Sequence, residues 1–338
     1  MNRRLALVVR VVVIAVIAFG LWWFVRGLDF AQLRRDLRSA SPALLAIGAA
    51  LNFACLFGKA VCWRLMLGPR HKVSVHRLFR YTIATFAASA IAPARAGEVL
   101  RVWVLKRRDG VPAADSAAVA VAEKLLDGIS MLILVAPLPW LLPDLPTEAT
   151  VAILICAGVA FVAFVALYVG AGRVEGTTAT SSVARRFLAG MHVLRSPRRL
   201  LGSLGVLVLV WAADLLQVMV VLRAVGLDLS PAAALFILFS LNVAITVPST
   251  PAQIGALQLG ALAAIKALNV DQNHGAAFAL LYHLGQIVPL IGIGLAFEWR
   301  LVLGREGDPT ATPLARAIAR PMLAPRPDEP AGTSAPGG

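Results

Sequence analysis

Acidic residues are scarce in this chain of 338 residues: 18 Asp and Glu stand against 32 Lys and Arg, and charged residues together make up only 15%. Beside 59% hydrophobic residues, so little charge excludes a soluble domain of this length and implies an all-α polytopic membrane protein. Cysteine is almost missing. Cys55, Cys62 and Cys156 are odd in number, lie in apolar segments and show no CxxC or Cys/His ligand spacing, so neither a disulfide framework nor a metal site is expected. The five histidines include no HExxH, and no P-loop, strand-borne GxGxxG or nucleophile elbow occurs. No catalytic residue, no cofactor and no nucleotide-driven pumping follow from such a chain, and the expectation is that it is not an enzyme. The net charge of +14 sits in short clusters between apolar runs rather than in one basic domain. Positive-inside topology explains that pattern better than nucleic acid as a partner.

What is present is a series of apolar segments. Residues 1–26 run apolar after MNRR and close on Trp22, Trp23 and Arg26, which favours a retained first transmembrane helix over a cleaved signal peptide. A loop, DFAQLRRDLRSASP, leads to Ser41-Pro42, a cap followed by proline at the first helical position, and a second helix runs from there to about residue 67. Arg64, Arg70, Lys72, Arg77 and Arg80 then place the next loop, and with it the N-terminus, in the cytoplasm. Further full spans are expected at 115–142, 149–170, 200–222 and 275–299. The basic loop at 171–199 marks the boundary between halves, and residues 305–338, rich in Pro, Ala and Gly, read as a cytoplasmic tail beyond one membrane domain at 1–304.

Two stretches are too short or too broken to cross. From Leu78 to Pro93 there are fewer apolar residues than the roughly 20 that a span needs. Pro93 and Gly97 break the segment, and Arg95, Glu98 and Arg101 follow at a spacing of three, near one face if a helix restarts. Either this is a helix end at the interface or a half-helix lining a polar cavity, since irregular backbone at membrane depth is tolerated where protein or water surrounds it. With the basic run at 106–108 on the far side, residues 75–108 are expected to form a re-entrant hairpin. The second stretch, 232–268, breaks at PSTPAQIG, with Pro251 and Gly255 as its punctuation. Glu123, Asp127 and Ser130 share a face of the 115–142 span, with Lys124 in reach of Asp127. That cluster either snorkels to the surface or faces the bundle interior.

Laying residues 41–135 over 196–293 sets Ser41-Pro42 on Ser196-Pro197, Pro93 on Pro251, Gly97 on Gly255 and Val111 on Val270. Because the paired segments run in opposite directions, the expectation is an inverted-topology repeat of about six full transmembrane helices and two interrupted re-entrant hairpins, the arrangement that places transporter sites at the midplane. Lys59 and Asp214 fall at equivalent positions and are expected to approach or jointly line a central cavity.

The run PARAGEVLR at 93–101, the basic turn with GVP, and EKLLD at 123–127 resemble the flippase-like, lysylphosphatidylglycerol synthase transmembrane-domain family over roughly residues 5–300. The resemblance implies handling of a lipid with a polar head group in the bacterial cytoplasmic membrane, without the aminoacyl-transfer domain of the full-length synthases. Carried over, the family's P-x-R-x-G-E is Pro93, Arg95, Gly97 and Glu98, its next arginine is Arg101, and its E-[KR]-x-x-D is Glu123, Lys124 and Asp127. The second half departs from the pattern: PSTPAQIGALQ offers Gln253 and Gln258 where members carry a glutamate, and Tyr282-His283 stands for a Tyr-Arg pair. The leading expectation is a lipid flippase in which Arg95 and Arg101 bind phosphate, Glu98 orients them, and Glu123, Lys124 and Asp127 form the cavity wall. The contrasting one is a scaffold that presents lipid to a separate, membrane-associated lipid-modifying enzyme.

Overall fold

The computed structural model describes residues 19, 22, 26, 29–91, 96–143, 145–173, 196–246 and 251–303. Most of the first span, Pro93, Arg95, the loop from 174 to 195 and the tail at 305–338 lie outside the described residues. Among the described residues all regular structure is helical: α1 (Phe30–Ser39), α2 (Pro42–Leu67), α3 (Val75–Ile91), α4 (Ala96–Asp109), α5 (Ala113–Val135), α6 (Thr147–Arg173), α7 (Pro197–Ala224), α8 (Pro231–Ile245), α9 (Ala256–Ala267) and α10 (Gln272–Leu303). Short helical turns at Leu138–Leu141 and Pro251–Gln253 join them.

The starts are written in the sequence as cap followed by proline. Ser41-Pro42 opens α2, Ser196-Pro197 opens α7 and Ser230-Pro231 opens α8, and the Ser230 hydroxyl accepts from the Ala233 amide at 3.2 Å. The segment expected as a loop before α2 is instead the helix α1. Asp29 accepts from the amides of Ala31 and Gln32, and Leu33 and Leu37 pack on the core, so an amphipathic turn forms despite its arginines.

α2, α7 and Gln272–Phe297 of α10 are long and apolar enough to cross a membrane. Thr147–Val159, α8 and α9 are shorter apolar helices. α5 has the length but carries Asp115, Glu123, Lys124 and Asp127, and it is shorter than the expected span because the chain turns at Ala136.

α2 and α7 pack most extensively, antiparallel, with the Ser41 amide bonded to the Ala224 carbonyl. Apolar burial gains little between helices in lipid, so close approach must hold such a pair, and small residues permit it. Gly58 lies where an added Cβ would strike Val210, and at Gly48 it would come within 3.0 Å of Val221.

α3 and α4 form one antiparallel hairpin, its two outer ends joined by Arg77 and Asp109 at 2.5 Å. α8 and α9 form the other, with Gly260 against Ser240, Leu241 and Ala244. Exchanging α1–α5 for α6–α10 maps the contacts onto one another. α2 meets α3 as α7 meets α8, α4 meets α5 as α9 meets α10, and α1 rests on α10 as α6 rests on α5. Across the halves, α10 packs on α3 as α5 packs on α8.

Candidate functional site

Two polar clusters occupy the bundle interior. The first lies between α2, α4 and α5. The Lys59 ammonium donates to both carboxylate oxygens of Asp127 at 3.0 Å each and stands 3.8 Å from Glu123. The Trp63 indole, one turn along α2, donates to Glu123 Oε2 at 2.5 Å, and Arg101 from α4 meets the same oxygen at 3.4 Å. The guanidinium also lies 4.1 Å from the centroid of the Trp63 ring and donates to the Thr82 hydroxyl of α3. Trp211 of α7 closes the group from the other side, its indole donating to the Asp127 carbonyl at 3.0 Å.

Two cations thus face two carboxylates in a buried setting. Charges removed from water lose solvation worth several kcal/mol each, and such a group survives only when every partner is present. Arg101 is 5% exposed, and its buried Nε finds no acceptor.

Glu98 and Arg101 do not share a setting as their spacing suggested. Glu98 is exposed and pairs with Lys124 at 3.0 Å, both side chains about half open. Lys124 therefore bonds across to α4 rather than to Asp127 on its own helix, because Asp127 is taken by Lys59. Ser130 turns back to the Leu126 carbonyl and takes no part. Arg95 lies outside the described residues.

The second cluster lies between α7, α9 and α10. The Tyr282 hydroxyl donates to Asp214 at 3.0 Å. Lys59 and Asp214, expected to approach or jointly line a central cavity, are each bonded within their own half, and Asp214 lies within the electrostatic reach of Lys59.

A chain of neutral hydrogen bonds ties the start of α9 to α10. The Gly255 amide donates to Gln258 Oε1 at 2.7 Å, Gln258 Nε2 donates to His283 Nδ1 at 2.8 Å, and His283 Nε2 donates to the Ala252 carbonyl at 2.8 Å. This sequence of donors and acceptors assigns a neutral imidazole with its proton on Nε2. It also ties down a strained turn. Ala252 (φ 54) and Gln253 (φ 61) are consecutive left-handed residues without the freedom of glycine, a conformation costing about 1–3 kcal/mol per residue. The exposed Gln253 side chain stays outside the cluster.

The glycines after the breaks have a packing role. A Cβ on Gly97 would run into the Thr85 carbonyl and the Ser89 hydroxyl, and the Gly97 amide bonds that hydroxyl at 2.9 Å. Gly255 has φ 89 and caps α9.

Sequence reasoning missed Trp63, Thr82 and Trp211. Trp63 follows Lys59 by four residues on α2, a spacing that puts both on one face and was legible. No signal marked the other two, whose partners come from distant helices.

A family model described as lysylphosphatidylglycerol synthase TM region matches residues 8–294. Neither the curated proteins nor the solved structures include a match to the chain.

Proposed function

The chain belongs to the lysylphosphatidylglycerol synthase TM-region family, and we propose that it is a flippase moving a phospholipid or a lipid-linked polar head group across the bacterial cytoplasmic membrane. One observation carries this reading: Lys59, Arg101, Glu123 and Asp127 are paired in the interior of a helical membrane domain. Ionisable groups at membrane depth are expensive and mark pathways for polar cargo.

The topology we propose has six spans, namely the first helix, α2, α5, α6, α7 and α10, with α3–α4 and α8–α9 as re-entrant hairpins. The two halves, 41–135 and 196–293, are then inverted repeats within one membrane domain. Charge supports the orientation. Exposed Arg70, Lys72, Lys106, Arg107, Arg108 and Arg198 crowd the end where α2 and α4 stop, while Arg34, Arg35, Arg38, Arg223 and Lys266 at the other end are offset by Asp29, Asp36, Glu148, Asp228 and Asp271. The crowded end is cytoplasmic by the positive-inside rule, and with it both termini.

In this reading the half-open Lys124 and Glu98 meet the head group first, while Arg101 keeps the Glu123 carboxylate in place. The second half, with the neutral Gln258 and His283 where the first half carries charge, suits a neutral or anionic head group better than a cationic aminoacyl lipid. We propose no catalytic step.

The test is reconstitution of the full chain into liposomes with fluorescent phosphatidylglycerol or phosphatidylethanolamine, followed by dithionite quenching. Protein-dependent movement that falls after Lys59→Ala is expected. Movement indifferent to Lys59→Ala removes the pathway role, and no movement of any lipid by folded protein leaves the scaffold reading. Cysteines introduced at Lys106 and Asp228 in a background free of Cys55, Cys62 and Cys156 should label from opposite sides.

A further inference from the structure

We propose that Asp214, held by Tyr282, is a proton-binding site that is loaded and emptied as the lipid head group moves, with Lys59 as its competing counter-charge. This rests on the flippase reading and adds the driving ion to it.

Among the described residues Lys59 and Arg101 balance Glu123 and Asp127, which leaves Asp214 as the surplus anion of the interior. Each element packed on α7 brings little to offset it. α2 contributes Lys59 and Cys55, the ammonium bound to both oxygens of Asp127 and the thiol donating to the Val210 carbonyl at 3.4 Å. α5 contributes Asp127, a like charge, and α10 contributes the Tyr282 phenol. α8 has no ionisable side chain. Among the described residues no cation stands within ion-pair distance of Asp214. A carboxylate so placed is neutralised most cheaply by a proton, and buried carboxyls of this kind form the proton sites of membrane carriers.

The helix geometry supplies the two states. Cys55 and Gly58 lie against Val210, and Leu65 lies against Gly202. In that register Lys59 sits roughly 10 Å nearer the basic end than Asp214, at 1.5 Å of rise per residue. Side chains lean toward the N-terminus of their helix, and α2 and α7 run antiparallel, so Lys59 and Asp214 lean toward each other. Lys59 thus has two carboxylate stations. With Asp214 protonated it stays on Asp127, as seen here. Loss of the proton uncovers a second anion that draws the ammonium away and loosens α2 from α5. Chemically the cycle forms and breaks one O–H bond, the proton entering from one aqueous side and leaving to the other, with no redox change.

Infrared difference spectra of the reconstituted full chain across a pH titration test this directly. A protonated-carboxyl band should be present in the native protein and lost in Asp214→Asn, and Tyr282→Phe should shift its frequency by removing the phenol bond while keeping the acid. In the same liposomes an imposed pH gradient should bias fluorescent phosphatidylglycerol between leaflets in the native protein, with at least a tenfold smaller response in Asp214→Asn. A band that persists in Asp214→Asn, or that Tyr282→Phe leaves unmoved, overturns the proton site even where lipid moves. A band lost in Asp214→Asn with no lipid movement under any gradient keeps the proton site and overturns the coupling and the flippase reading together.

Discussion

The first half of the bundle secures its interior with charge, and the second does so with neutral hydrogen bonds. In the register that sets Val111 on Val270, Glu123 falls on Tyr282, Lys124 on His283 and Asp127 on Gln286. The contacts run in parallel, although Lys59 and Asp214 are aligned four residues off that register. Lys59 of α2 binds Glu123 and Asp127 of α5, and its equivalent Asp214 of α7 binds Tyr282 of α10, which in turn bonds Gln286. Lys124 reaches Glu98 at the start of α4, and His283 reaches Gln258 at the start of α9. Positions are retained while chemistry is exchanged, and the sign of the leading residue is inverted from Lys59 to Asp214. Helices with matching contacts can therefore keep their packing while, among the described residues, the buried ion pairs lie in the first half.

The sharpest way to break this comparison is to remove one equivalent partner in each half. Asp127→Ala strands Lys59 beside Glu123 and is expected to cost about 3–5 kcal/mol, the usual loss when one member of a buried ion pair is deleted. Gln286→Ala removes one neutral bond and should cost about 1 kcal/mol. Thermal unfolding of both variants in the same detergent checks the pair, and equal losses would mean that the two interiors are not held differently.

The hairpins should instead respond alike. Gly97→Ala drives a methyl into the Thr85 carbonyl, and Gly260→Ala brings one within 2.7 Å of the Ser240 carbonyl and the Ala244 methyl. Backbone cannot yield as a side chain tip does, so each should lose about 1–3 kcal/mol by overpacking. A severe loss at one and none at the other, read from the same unfolding curves, would break the equivalence of α3–α4 and α8–α9.

The helix ends and breaks of both halves were legible because serine, proline and glycine punctuate the apolar runs, and those residues act through local backbone chemistry. α1 was missed although its signals were present, Asp29 as a cap and Leu33 and Leu37 four apart, because three arginines between membrane segments also read as a polar loop. The membership of the charge cluster was legible, but its pairing was not. Spacing on one helix joins Lys124 to Asp127, whereas the fold brings Lys59 to Asp127 from another helix and leaves Lys124 for Glu98. Arg95, Glu98 and Arg101 looked like one face, yet the packing of α4 against α3 and α5 buries Arg101 and leaves Glu98 open. Tertiary partners decide such choices, and sequence spacing does not encode them.

A smaller contrast separates the latches. Lys124→Ala should cost less than about 1 kcal/mol, as expected of an exposed pair. His283→Ala, which orphans the Gln258 amide and frees the strained carbonyl of Ala252, should cost about 1–3 kcal/mol. Proteolysis of the 251–255 turn would rise only in the second variant, and a larger effect of Lys124→Ala would reverse the assignment of the tighter clamp to the second half.

The smallest expected effect lies where the last helix of each half begins. α5 starts at Pro112 with no side-chain cap, whereas Asp271, its equivalent before α10, accepts from the amides of Asn273 and His274 at 3.0 Å each. Those hydrogen bonds, that from the His274 amide foremost, hold the Asp271 carboxyl below the usual carboxylate range. Because the folded state lowers the value, the stabilisation is complete above the unfolded value of about 3.9 and is lost as pH falls through the folded one. The side chain is largely open to water, so the cap contributes about 1 kcal/mol or less. Amide exchange at Asn273 and His274 should therefore speed up, relative to the amides that open α5, as the solution is acidified below about pH 4. Asp271→Asn, which caps without titrating, should flatten that response while leaving α10 in place. Equal acid sensitivity at the start of α5 would show that the difference between the two halves does not extend to their caps.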